Sequence, residues 1–171
     1  FLDSITEYIE KYTSVEINLL RLQTKKDHFI FFELIQSIND DELILFFGHG
    51  TSKGLSGSVT KDFEQREFIT EKQLKIFENK NIVILSCRSN QYLNSYFKEC
   101  NLKSAIGFPN LITDYEEIEY HDDPKRVENL KQEDIDIFRT MIVDIIKFSL
   151  EDYINHNLSI QQLYNRIKLR I

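Results

Sequence analysis

Three short apolar runs constrain the fold more than any other feature: "ELILFF" (42–47), "NIVILSC" (81–87) and "KSAIGF" (103–108). A near-continuous apolar run of this length suits a strand buried on both faces, as in parallel sheets covered by helices. Helical spacing occurs beside them. "KDHFIFFELIQSI" (26–38) carries Phe31, Leu34, Ile35 and Ile38, and "SNQYLNSYFKEC" (89–100) follows the second run. Strands alternating with helices predict an α/β fold with a mostly parallel central sheet flanked by helices and right-handed crossovers. "VEINLLRLQ" (15–23) reads as a further strand, and 59–68 as a hairpin. Ser4 to Glu7, Thr70 to Gln73 and Ser159 to Gln162 are capping-box patterns, each opening a helix. Two helices close the chain. One carries Ile135, Phe138, Ile142, Ile145 and Ile146 on a face, the other Ile160, Leu163, Tyr164 and Ile167. The acid-rich stretch 113–136, with Pro124 inside it, reads as a solvated connection.

Length and composition bound the function. The 171 residues suit one domain, 1–171, and 42% hydrophobic content suffices for a core. The net charge is −7, with 28 acids against 21 bases. That balance disfavours direct nucleic-acid binding, which needs clustered Lys and Arg, and leaves room for a basic peptide. Cys87 and Cys100 form neither a ligand-spaced pair nor a disulfide framework, so a reducing cytoplasm is expected. No apolar run approaches the roughly 20 residues that span a membrane, so no membrane contact is expected. No H-E-x-x-H or C-x-x-C pattern occurs, so neither metal nor cofactor is expected. The chain begins Phe1-Leu2 and its one methionine is Met141, so it reads as a piece of a longer protein. A regulatory domain or subunit is then expected elsewhere.

The strand ends carry the chemistry. In open parallel sheets, ligands bind beyond the carboxyl ends of the strands. His49 lies two residues past "ELILFF", and Cys87 closes "NIVILSC" directly before a helix. A thiol at a helix N-terminus feels the positive end of the helix dipole, which favours the thiolate. Taken singly, Cys87 reads rather as a buried small hydrophobe and His49 as a turn histidine. Taken together on one rim, they form a nucleophile–base pair. Gly48, Gly50, Gly54 and Gly57 crowd around His49, yet Lys53 stands where either a P-loop or a dinucleotide fingerprint needs glycine. Glycine here suits close backbone approach and an N–H that joins an oxyanion hole. Ser86 lacks the G-x-S-x-G elbow of a serine nucleophile. His28 reads as a surface or core-edge residue, His121 as solvated, His156 as a helix-end residue and Cys100 as a helix-end hydrophobe.

"LILFFGHG" and "IVILSCRS" resemble the histidine and cysteine blocks of the caspase-like cysteine peptidases, the clan of caspases, separases and bacterial CHAT domains. The caspase block is Q-A-C-[RQG]-G with its histidine about 50 residues upstream. Here Leu85-Ser86-Cys87-Arg88-Ser89 keeps the Cys and Arg, and His49 lies 38 residues upstream. The spacing, the "SAIGF" strand and the two closing helices are most similar to CHAT domains. The resemblance implies a caspase-like sandwich and a cysteine endopeptidase acting on a protein substrate. Cys87 would be the nucleophile and His49 the general acid–base. Backbone N–H groups of Gly50 and Cys87 would hold the oxyanion. Asp114 matches the position of an acid that accepts a basic residue before the cut bond, and reads equally as a loop or helix-cap acid. Leu85 replaces the Gln that helps caspases hold aspartate, although Arg21 remains as an acid-binding alternative. The setting that the resemblance implies is a regulated bacterial pathway of antiviral defence or programmed death. The rival readings are a caspase-like fold used only for protein interaction and, against the failed glycine patterns, a phosphate-binding α/β domain.

Overall fold

The computed structural model describes residues 2–57, 67–118, 121 and 123–171. In chain order the described elements are α1 (Asp3–Tyr12), α2 (Lys25–Ser37), β1 (Leu43–Phe47), β2 (Gly54–Ser56), β3 (Glu67–Thr70), α3 (Glu71–Leu74), β4 (Asn81–Leu85), α4 (Ser89–Tyr96), β5 (Ser104–Gly107), α5 (Pro124–Val127), α6 (Gln132–Asn155) and α7 (Ile160–Arg170). Short 3-10 turns occupy Lys75–Phe77 and Tyr115–Ile118. The chain divides into two compact units. Asn18–Leu111 holds the described strands, while Phe1–Ile17 with Ile112–Ile171 is helical.

The strand-bearing unit is α/β, built on a three-stranded sheet of order β1-β4-β5 whose two pairings are both parallel. The three apolar runs are its strands. β4 is central, and Ile82 to Leu85 are each at most 3% exposed, so both of its faces are covered. β1 departs from the expected two-sided burial. Ile44 and Phe46 are buried, but Leu45 is 36% exposed: among the described strands β1 has one neighbour and lies at the edge, and the face that Leu45 occupies is only partly covered. β2 and β3 form a separate antiparallel pair. Of the hairpin expected around 59–68, residues 58–66 lie outside the described residues, and Glu67 and Phe68 belong to β3. Phe68 packs edge-on against Phe31 of α2 at 5.3 Å between centroids and against His28 at 5.0 Å.

Several boundaries differ from the sequence reading. Residues 15–23 form no strand. Leu20 and Leu22 pack against the apolar core while Val15 and Leu19 stay exposed, so the segment is anchored by two side chains rather than by a ladder. Helix α1 begins at Asp3 with Leu2 at its N-cap, which puts Ser4 inside the helix instead of capping it. Helix α2 instead has a capping box, Thr24 with Asp27. Thr70 with Gln73 opens α3 as expected, but that helix is a single turn.

In the helical unit α1 and α7 each pack on α6. Ile135, Ile142, Ile145 and Ile146 are buried on one stripe of α6, and Leu163 and Ile167 on α7. Ser159 and Gln162 make the capping box that starts α7. Tyr8 of α1 donates a hydrogen bond to Glu151 of α6 at 2.6 Å. Among the described residues, no helix is long and apolar enough to cross a membrane.

Candidate active site

The ladder between β1 and β4 aligns the two strand ends. Phe47 pairs with Leu85, and the Gly48 N–H still donates to the Leu85 carbonyl at 3.3 Å. His49 and Cys87 each follow their paired end by two residues. They therefore leave the same rim of the sheet from adjacent strands, which stand about 4.8 Å apart. The parallel pairing decides this, since antiparallel strands would send the two residues to opposite rims.

Cys87 sits on a turn between β4 and α4 that several bonds hold. Arg88, at the N-cap of α4, takes the left-handed conformation with φ 57°. That conformation costs a non-glycine residue about 1–2 kcal/mol. The Arg88 N–H donates to the Pro109 carbonyl at 3.1 Å, and the Asn90 N–H to the Phe108 carbonyl at 3.0 Å. Buried Ser89 donates its hydroxyl to the Ile84 carbonyl at 2.7 Å and accepts the Phe108 N–H at 2.9 Å. The half-buried Cys87 thiol donates to the Leu111 carbonyl at 2.6 Å. Cys100 is buried at 3% exposure, and that burial pushes its thiol pKa up.

His49 lies in a tight loop. Its carbonyl accepts the Ser56 N–H at 2.9 Å, the Thr51 N–H donates to the Gly54 carbonyl at 2.9 Å, and Gly50 bridges Leu55. The His49 ring is exposed, and neither it nor the Gly50 N–H makes a hydrogen bond among the described residues. No described glycine has a positive φ, so the glycines here provide space rather than unusual backbone angles. At Gly50 a β-carbon would stand 2.6 Å from Ser86 Oγ. Gly57 lies against the ring of His28, which is buried and has Nδ1 2.7 Å from the Thr24 carbonyl. His28 is thus a core residue, not a surface or edge one.

Asp114 belongs to the helical unit, and its side chain is 55% exposed. Its carboxylate stands 3.6 Å from the Arg139 guanidinium, which also donates to the Thr113 carbonyl and meets Asp136 at 3.3 Å. Arg21 is exposed and lies outside the described strands and helices. Among the described residues no group of three or more His, Cys, Asp or Glu is placed to hold a metal ion. Sequence reasoning did not identify the Ser89 tether, the Leu111 acceptor or the buried Ser86 hydroxyl. The small polar residues flanking Cys87 were the available signal. No protein-family model matches the chain, and neither a curated protein nor a solved structure matches it.

Proposed function

We propose that the chain is a caspase-like cysteine endopeptidase domain, most similar to the CHAT type, with Cys87 as nucleophile and His49 as general acid–base. The observation that carries the proposal is the parallel register that ends β1 and β4 together, two residues before His49 and Cys87. In this mechanism His49 takes the Cys87 proton, and the thiolate adds to the substrate carbonyl carbon. The unengaged Gly50 N–H, with that of Cys87, stabilises the oxyanion. Collapse breaks the C–N bond, and the leaving amine takes the proton from His49. Water then hydrolyses the thioester, releasing the acid and restoring the thiol. The proposal extends to cutting after a basic residue, with Asp114 as the acid that the resemblance implies. It also includes a regulated role in bacterial defence or death, in the cytoplasm.

The second reading is a caspase-like fold that only binds partner proteins. The hydrogen bond from the thiol to Leu111 favours it, because a thiol engaged as a donor keeps its proton. One experiment separates the two. The protein is incubated with a thiol-directed acyloxymethyl ketone carrying an Arg peptide, and with the matching fluorogenic substrate. Labelling at Cys87 and turnover that both vanish in His49→Ala support the peptidase. Absence of labelling at Cys87 with every such probe removes its basis.

A further inference from the structure

We propose that Ser86 is a positioning residue of the reaction centre, seating the His49–Gly50 loop against the nucleophile strand. The inference rests on reading Cys87 and His49 as nucleophile and base. Ser86 is 2% exposed, and its hydroxyl has no hydrogen-bond partner among the described residues. A buried hydroxyl without a partner lowers stability, so its presence calls for a reason outside stability. The Ser86 side chain occupies the space that Gly50 leaves. A β-carbon at Gly50 would stand 2.6 Å from Ser86 Oγ and 3.3 Å from Ser86 Cβ. Real β-carbons do not come within 3.0 Å of a neighbour, so with the Ser86 hydroxyl in this rotamer the loop rests too close to Ser86 for a side chain at Gly50. The other backbone bonds of the loop are internal, from Thr51 to Gly54 and from Ser56 to His49, and the Thr51 hydroxyl donates to the Glu67 carboxylate of β3 at 2.6 Å, one residue beyond Gly50 and away from β4. The Gly48 bond to Leu85 ties the chain to β4 before His49, and the Ser86 contact seats it after. His49 is thus bracketed by two contacts with β4 and its continuation. On the proposed pairing, tilting the loop at Gly50 would displace both the His49 ring and the Gly50 N–H relative to Cys87.

The test measures the rate of Cys87 alkylation by iodoacetamide at neutral pH, read by mass spectrometry, which requires no peptidase turnover. The full chain is compared with His49→Ala, Gly50→Ala and Gly50→Ala/Ser86→Gly. The wild-type rate should exceed that of His49→Ala. Gly50→Ala should fall to the His49→Ala rate, and adding Ser86→Gly should return it toward wild type, since the clash is then relieved. Peptide turnover should follow the same order, with a loss of roughly 100-fold in Gly50→Ala, as for a misplacement of about 1 Å. A wild-type rate equal to that of His49→Ala sinks both this inference and the His49–Cys87 pairing. A His49-dependent wild type with an unaffected Gly50→Ala, or with no recovery in the double variant, sinks the inference alone. If Gly50→Ala does not fold, Ser86→Ala carries the test. It should keep or raise its unfolding midpoint, having no hydrogen bond to lose and a buried partnerless hydroxyl to shed, yet move toward the His49→Ala rate. An unchanged alkylation rate in Ser86→Ala overturns the role.

Discussion

Ser89 ties the turn that carries Cys87 to the strand before it, donating its hydroxyl to the Ile84 carbonyl at 2.7 Å while accepting the Phe108 N–H. One buried side chain thereby joins β4, the start of α4 and the end of β5. Ser89→Ala leaves two backbone groups short of a partner. Each such loss costs about 1–3 kcal/mol. The expected outcome is a lower denaturation midpoint, measured in urea, with Cys87 alkylated at a changed rate. An unchanged midpoint would mean that the turn is held without Ser89.

Arg88 holds the left-handed conformation next to Cys87. Asn tolerates it well, whereas a β-branched residue does not. Arg88→Asn should therefore leave stability within about 0.5 kcal/mol or raise it, while Arg88→Val should lower it by about 1–2 kcal/mol. Equal midpoints for the two variants would contradict the strained turn.

Asp114 gives a test of specificity with little structural side effect. Its pair with Arg139 is half exposed at 3.6 Å, and such pairs contribute about 0–1 kcal/mol. Asp114→Ala should stay folded. If Asp114 selects a basic residue, this variant loses cleavage after Arg yet keeps Cys87 reactive toward small alkylators. Unchanged Arg cleavage would move the recognition of that residue elsewhere.

Tyr8 reports on the α1–α6 contact through pH. Its hydrogen bond to the Glu151 carboxylate, followed by burial and by the carboxylate's charge, pushes the phenol up to about 12. The folded state therefore holds this proton more tightly than the unfolded chain, whose tyrosine titrates near 10. The stabilisation is fully present below about pH 10 and is lost as pH rises toward 12. Tyr8→Phe should remove that alkaline loss and lower the neutral-pH midpoint modestly, because the stabilisation is present there but screened by solvent. Phenolate absorbance during an alkaline titration gives the direct reading, and a Tyr8 transition near 10 would refute the contact.

The two thiols should separate in labelling. Burial raises Cys100, and the thiolate is the reactive form. Iodoacetamide should mark Cys87 in the folded protein and Cys100 only after denaturant is added. Early labelling of Cys100 would show its helix end opening on its own.

Much of the fold was legible because continuous apolar runs have few uses in a chain of this length. "LILFF", "NIVIL" and "SAIG" became β1, β4 and β5, and the spacing of isoleucines on α6 marked its buried face. The segment 15–23 misled for a related reason. Its apolar residues alternate enough for a strand, but a strand also needs a neighbour to pair with, which no local pattern states. Leu45 was misjudged in the same way, since an edge position is a property of the sheet and not of the run.

At the candidate site the sequence alone determined which residue types follow which strands: His49 after one apolar run and Cys87 after another, with glycine and small polar residues beside them. The covalent order of the chain suffices for that. Whether the two residues share a rim was decided only by tertiary structure, through the parallel pairing of Phe47 with Leu85. Only packing could decide what Gly50 is for. The Ser86 side chain, 36 residues away in sequence, occupies the volume that a β-carbon at Gly50 would need. Close packing makes such exclusions specific, and they exist only once distant segments are brought together.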